Sequence, residues 1–451
     1  MSVQRLLAAS VAALTMAGST VLTSPAAQAV PPAATPAATA APDYDGDGTA
    51  DLAVTDATAD TEAWQITVYY GSGDTAEITT DDVDGAWSIG TYLLARDVNG
   101  DGYTDLVFSA RLSGVGPAVE IVPGSAGGLD LAARRAFPLP DSQDARITSL
   151  GLVTAPVPRL AVGVQTDSLS TVRAYALDAD GVPTGDPVVL RPGKGKLPKL
   201  SNPESFGSAL TSWGKRLFVA APYTNVGGVR DAGAVVAVTF SASGVSAAVV
   251  LSQATTGVPG APGIGDAFGF SVAARDGYLI VGTPLDDVGT RQDTGSVQVF
   301  RLTSSKITPV TRLSQATTAV PGKAERNDQF GSSVELANVC AGVLSAVVGG
   351  SGEVIVASHE RDGSAWVIPL AKAKGCVAQQ LYQGHGLSGS PAGHSLGDFV
   401  SVLRDAASTT DELVIGGFGS AEDYQGRLVR WSPSAGETLG VNGLFAGAAG
   451  R

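Results

Sequence analysis

The sequence predicts an all-β chain, a seven-bladed β-propeller with four-stranded antiparallel blades, closed by N- and C-terminal strands. Two recurrences and one displacement carry that expectation. A Leu-Ala-Val-Gly-like strand phrase recurs at Leu52, Leu106, Leu160, Leu217, Leu279, Ala346 and Leu413, at steps of 54, 54, 57, 62, 67 and 67 residues. An apolar residue followed by Gly precedes the last six, at Ile89-Gly90, Leu150-Gly151, Phe206-Gly207, Phe268-Gly269, Phe330-Gly331 and Leu396-Gly397. The first repeat lacks this pair, and a further copy, Leu439-Gly440, lies near the C-terminus. Units of this size cannot bury an apolar face alone and must stack on their neighbours. A phrase moved from one end of the chain to the other points to a closed ring.

Residues 1–29 read as an export signal, with Arg5 as the positive start, Leu6 to Ala17 apolar, and Ala27-Gln28-Ala29 as a cleavage site. The apolar stretch is too short and alanine-rich for a permanent membrane span, and no other segment reaches 18 uninterrupted apolar residues. Residues 30–42, rich in Pro, Ala and Thr, read as a flexible linker. Residues 43–447 are left for the propeller. The 57 Gly and 25 Pro fit many short strands joined by tight turns. Without the signal the formal charge is 28 − 43 = −15, which disfavours nucleic acid and anionic membranes as partners. Such acidity is also the ordinary means by which a secreted protein stays soluble.

The fifth repeat displays the blade. Phe268 to Ala273 alternates as a first strand, and Arg275-Asp276-Gly277 turns. Tyr278 to Gly282 is continuously apolar, Thr283-Pro284 breaks it, Ser296 to Phe300 alternates, and Ile307 to Leu313 ends the unit. An apolar second strand suits burial on both faces. Small residues after it (Gly163, Ala220, Gly282, Gly349 and Gly416) let blades approach near the axis. Period-two alternation rejects a helical solenoid, while two packed β-sandwiches remain open. The first repeat has no strand before its acidic loop, and Leu439 to Phe445 is the segment available to supply it. Cys340 and Cys376, on the same edge of the sixth repeat, permit one disulfide in an exported chain, with free thiols as the alternative.

Two loops carry metal chemistry. Asp43, Asp45, Asp47, Thr49 and Asp51 fall at alternate positions of one, and Asp97, Asn99, Asp101, Tyr103 and Asp105 at those of the other. Both read Asp-x-Asp/Asn-Gly-Asp-Gly-x-x-Asp. Oxygens at alternate positions converge while each Gly permits the sharp turn. Hard oxygen donors in this number suit Ca²⁺, with Thr49 and Tyr103 offering main-chain carbonyls. The helix-loop-helix calcium site would need Glu at position twelve, where Val54 and Phe108 stand. Repeats three to five have short turns instead, so calcium is expected to be structural.

These motifs together resemble the FG-GAP repeat of integrin α-subunit propellers and their secreted bacterial relatives. The resemblance implies calcium in the loops joining strands 1 and 2. It also implies a binding or adhesion module whose ligand face is the opposite one, built by the 2–3 and 4–1 loops. Here those loops hold Tyr223, Arg230, Arg291, Glu422 to Tyr424 and the basic stretch Arg191 to Lys199. Only two of seven repeats keep the calcium loop, and several replace Phe by Leu or Ile.

Gly393-His394-Ser395-Leu396-Gly397 matches the G-x-S-x-G elbow of lipases. No His follows His394, a strand-like segment replaces the required helix, and Leu396-Gly397 fills the repeat's own slot. His385 and His394 read as solvated loop histidines. The expected function is a secreted, monomeric, calcium-stabilised, non-catalytic propeller that binds an extracellular protein or glycan. The rivals are a hydrolase or glycan-active enzyme using acids in the central depression, and a structural surface or matrix component. Carboxylates at the axis would favour the first rival, whereas a Gly- and Ser-lined axis would not.

Overall fold

The computed structural model describes residues 42–57, 64–140, 143–340, 342–359, 361–404, 408–417 and 426–449. The expected export signal, and all of the expected linker except Pro42, lie outside them. The described strands form seven blades (numbered I to VII in repeat order) with short 3₁₀ turns at Thr80–Asp82 and Leu131–Ala133. Blade V is typical: Ser271–Arg275, Tyr278–Thr283, Ser296–Leu302 and Ile307–Leu313 pair in chain order, antiparallel throughout. Its first strand starts at Ser271, not at Phe268. Phe268 and Gly269 lie in the turn ahead of it, where Gly269 N–H donates to the Gly282 carbonyl (3.0 Å).

Burial shows how the blades stack. The described apolar core falls into seven clusters, each made of residues from two adjacent blades. Strand 2 feeds both sides. Leu279 and Val281 pack toward blade IV and Ile280 toward blade VI, all fully buried, as expected of a strand with no solvent face. Phe206, Phe268 and Phe330 of the repeated pair are fully buried, and Ile89, Leu150 and Leu396 are buried in the equivalent slots. The innermost strands touch in order from blade I to blade VII and back to blade I, which closes the ring.

Closure differs in detail from the sequence expectation. One long strand, Gly436–Ala449, serves two blades. Gly436 to Gly443 pairs with Gly426–Ser432 as the outer strand of blade VII, while Leu444 to Ala449 pairs with Leu52–Ala57 as the inner strand of blade I. Leu439-Gly440 therefore belongs to blade VII, opposite Arg430 and Val429. Without that half, blade VII would have three strands and an open edge.

Near the axis, each of four junctions joins a carbonyl of one blade to a hydroxyl of the blade before it. Ser149 Oγ donates to Gly207 O (2.6 Å), Ser271 Oγ to Gly331 O (2.8 Å) and Ser333 Oγ to Gly397 O (2.7 Å). Across each of these lies Gly163, Gly282 or Gly349, where a Cβ would stand within 3.0 Å of the same carbonyl. At the blade I–II junction the corresponding slot holds Thr55, whose own hydroxyl donates to Gly90 O. Cys340 and Cys376 are joined by a disulfide, with Cα atoms 5.8 Å apart, linking the end of the first strand of blade VI to the loop after its third.

Candidate metal loops and ligand face

The two acidic loops fold alike. In the first, Asp43 accepts from the amides of Gly46 (2.7 Å) and Gly48 (3.1 Å), Asp45 from Asp47 (3.1 Å), and Asp47 from Thr49 (2.6 Å). In the second, Asp97 accepts from Gly100 (2.6 Å) and Gly102 (3.1 Å), Asn99 from Asp101 (2.9 Å), and Asp101 from Tyr103 (2.9 Å). The ninth position anchors each loop. Asp51 accepts from Tyr44 N (2.6 Å) and Gly71 N (2.8 Å), and Asp105 from Val98 N (2.8 Å) and Gly124 N (3.0 Å). The glycines are obligatory here. Gly46 has φ 71°, and a Cβ on it would run into the Tyr103 ring of the next loop.

The loops differ as metal cradles. Carboxylate oxygens of Asp43, Asp45 and Asp51 come within 4.8 Å of one another, the one such group of three among the described residues. The second loop has Asn99 at position three, and its side-chain amide donates to Asp101 Oδ2 (2.9 Å). Burial pushes the Asp51 carboxyl up to about 7; the amides of Gly71 and Tyr44 pull it down, and the neighbouring Asp45 and Asp43 charges push it up further. Burial likewise lifts Asp105 to about 6. An oxygen-lined cradle of two buried carboxylates and one half-buried one fits a hard divalent cation. On the same edge of the ring, blades V to VII use a different fastener: Arg275 pairs with Asp411, which also accepts from Asn338 N (2.7 Å).

Along the axis runs a cavity of about 320 Å³. Among the described residues its walls carry Thr55, Gly90, Ser149, Ser208 and Thr211, with Arg96 as the one charged lining residue and no carboxylate. Ser395 sits away from it, buried, with φ 48°. Ala267 (φ 59°) and Gln329 (φ 56°) hold the same conformation just before their own Phe-Gly pairs, so the bend belongs to the repeat. His394 is buried, contrary to expectation, because its loop docks on blade VI through Leu396 N to Asp362 O (3.0 Å). His385 is exposed and stacks on Tyr382.

The 2–3 and 4–1 loops form the opposite face. Tyr223 and the Arg230 side chain are exposed there, as is Arg291. Glu422 to Tyr424 lie outside the described residues. This face also buries acids. In blade V, Asp286 is held by Arg312 and Ser296. In blade VI the matching positions are Glu353, Gln380 and Ser364, and the arginine is gone. Glu353 accepts from Gln315 (2.8 Å) and Gln380 (3.2 Å), and burial first, then the Asp328 charge, lifts it to about 7. Asp328 itself is lifted by burial to about 6. A folded-state value above the usual 4.5 means that the native protein binds this proton more tightly than the unfolded chain. Glu353 should therefore lower stability as pH rises from about 4.5 to 7, and stability should stay reduced above that range. Glu353→Gln should raise the melting temperature at pH 8, by on the order of 2 kcal/mol in stability, and far less at pH 5. Parallel melts of both proteins across that range measure it, and equal slopes would refute it.

One feature of this face escaped the sequence reading. Trp87 stands at the head of the first strand of blade II, 64% exposed, with the Arg111 guanidinium 5.5 Å from its ring. Blades IV to VI carry Glu204, Asp266 and Asp328 two residues before their Phe-Gly pairs. Blades III and VII hold Thr148 and His394 in that slot, and Trp87 is the one large apolar side chain among the six.

Against this geometry, residues 262–300 match the family model of the FG-GAP repeat. The chain is a seven-bladed propeller with an FG-GAP repeat in its fifth blade. No curated protein matches it. Among solved structures, this propeller is similar to the periplasmic gluconolactonase of Pseudomonas aeruginosa, at 13% identity and TM-score 0.46, covering 88% of this chain and 98% of that one. It is also similar to a six-bladed fungal lectin of Aleuria aurantia, at 12% identity and TM-score 0.39, covering 78% and 94%. Likeness this distant identifies no activity. Among the described residues, no helix of the propeller is long and apolar enough to cross a membrane.

Proposed function

We propose that this propeller is a secreted, calcium-stabilised, non-catalytic module that binds an extracellular protein or glycan through its 2–3 and 4–1 loop face. The observation that carries this reading is the division of labour around the ring. The axial cavity, where a propeller enzyme would gather its acids, is lined among the described residues by hydroxyls, glycine, aliphatic and aromatic side chains and the cationic Arg96. Exposed aromatic and charged side chains collect on the loop face instead. The disulfide in blade VI supports export, because such bonds persist in oxidising compartments.

Immobilised protein probed with extracellular proteins and glycans, with calcium present, tests the reading. Binding is expected, together with loss of binding after substitutions on the loop face. Turnover of esters, lactones or glycans by the pure protein would overturn it in favour of a hydrolase. Any trace esterase activity should be unchanged in Ser395→Ala. A drop to background in that variant, with its melting curve unaltered, would restore the elbow as a nucleophile.

A further inference from the structure

We propose that the loop face of blades II and III is a saccharide-binding groove, with Trp87 as its stacking platform and a neutral oligosaccharide as its ligand. The inference rests on the loop-face reading above and assigns that face a place and a ligand class.

Two adjoining cavities make the groove. One, of about 650 Å³, is lined by Trp87, Arg111, Asp144, Arg146 and Asp167 among others. The other, of about 470 Å³, shares Asp144, Arg146 and Asp167 and continues to Glu204. Both fall within the size range of small-ligand sites. Together they cross from the head of blade II, over the loop entering blade III, to the loop leaving it.

The platform is built in place before any ligand arrives. Arg111 Nη1 donates to Ala145 O (2.9 Å) and Nη2 to Gln143 O, which fastens the loop between blades to the 2–3 hairpin of blade II. Gln143 Nε2 adds a bond to Gly114 O (2.9 Å). The same guanidinium lies against the indole, so Trp87 is oriented while most of its surface stays in solvent. Indole left exposed on a fixed backing loses little conformational entropy when it stacks.

The surrounding chemistry selects the ligand. A pyranose offers an apolar face of C–H groups for an aromatic ring and rows of hydroxyls at its edge. Asp144, Asp167 and Arg146 are exposed beside the indole and can each engage two neighbouring hydroxyls. Three carboxylates (Asp144, Asp167 and Glu204) against two guanidinium groups (Arg111 and Arg146) leave a small negative excess that weakly disfavours a sulfated or uronic chain. The same small excess of negative charge gives a strongly basic peptide only a weak pull. A neutral sugar meets no charge penalty.

Titration calorimetry tests the proposal. The wild-type protein in calcium would be titrated with neutral tetrasaccharides built on glucose, mannose, galactose or N-acetylglucosamine, with heparin and hyaluronan fragments, and with a lysine-rich peptide. At least one neutral tetrasaccharide should bind. Trp87→Ala should weaken it about tenfold or more, and Trp87→Phe should hold within about threefold, both with unaltered melting temperature. Neutral-sugar binding that Trp87→Ala leaves untouched would overturn the groove, yet leave the loop-face reading standing if Tyr223→Ala or Arg230→Ala abolishes it. Binding only of the acidic fragments or the peptide would overturn the ligand class. If neither these probes nor extracellular proteins bind, both readings fall.

Discussion

Gly282→Val should destabilise the propeller by about 3 kcal/mol or more, and the reason lies in the next blade. A Cβ at Gly282 would stand within 3.0 Å of both the Gly331 carbonyl and the Ser271 hydroxyl. Those two groups are bonded to each other at 2.8 Å. Relief would require blades V and VI to separate, which loosens the cluster shared by Ile280, Phe330, Val334 and Trp366, or would require the buried Gly331 carbonyl to lose its donor. Either route carries a desolvation or packing penalty. Gly349→Val and Gly163→Val face the same geometry against Gly397 and Gly207. Gly127→Ala is the control, since its Cβ meets nothing nearer than Ser125 Oγ at 3.8 Å, and it should change stability by less than about 0.5 kcal/mol. Denaturant midpoints measure all four. A Gly282→Val midpoint equal to that of wild type would mean that the junction is not packed as described.

That junction explains what the sequence could and could not announce. The repeated Phe-Gly and Leu-Ala-Val-Gly phrases were legible because every blade must present the same buried surfaces to its neighbours, and repetition amplifies a weak pattern. The small residue after strand 2 was readable for the same reason. Closure was half legible. The displaced Leu439-Gly440 pair indicated a C-terminal strand, but nothing in composition separates one strand serving two blades from two shorter ones. The register of Gly436–Ala449 is fixed by partners far away in sequence, Gly426–Ser432 and Leu52–Ala57. The acidic loops were visible through their spacing, since the turn geometry is local and each contact lies within seven residues, apart from the anchors to Gly71 and Gly124. The Trp87 groove was hidden because it joins side chains from separate blades and loops. No local pattern marks such a place. The local cue is only that Trp87 puts a large apolar side chain where the other blades hold Thr148, Glu204, Asp266, Asp328 and His394.

Chelation should lower the melting temperature by several degrees if the acidic loops hold Ca²⁺. Each site filled at a free concentration 100 times its dissociation constant contributes about 2.7 kcal/mol to the folded state. For a propeller of this size that corresponds to roughly 3 °C per site. Magnesium at the same concentration should not substitute, because it demands a tighter octahedral shell. Two substitutions separate the cation from the loop's own hydrogen bonds. Asp51 ties Tyr44 N and Gly71 N together, so Asp51→Ala should destabilise with or without chelator. Asp45 accepts only the amide of Asp47 at 3.1 Å within the loop, while its carboxylate converges on Asp43 and Asp51. Asp45→Ala should therefore lose most of the first loop's calcium-dependent gain and melt close to wild type once calcium is removed. In the second loop, the Asn99 amide already bonded to Asp101 leaves one fewer charge to satisfy, so that site should fill at a higher calcium concentration. Scanning calorimetry across a calcium series reads both steps. Superimposable melts with and without chelator, at fixed pH, would show that the carboxylates are held by backbone amides alone and that no ion is needed to keep blades I and II in place.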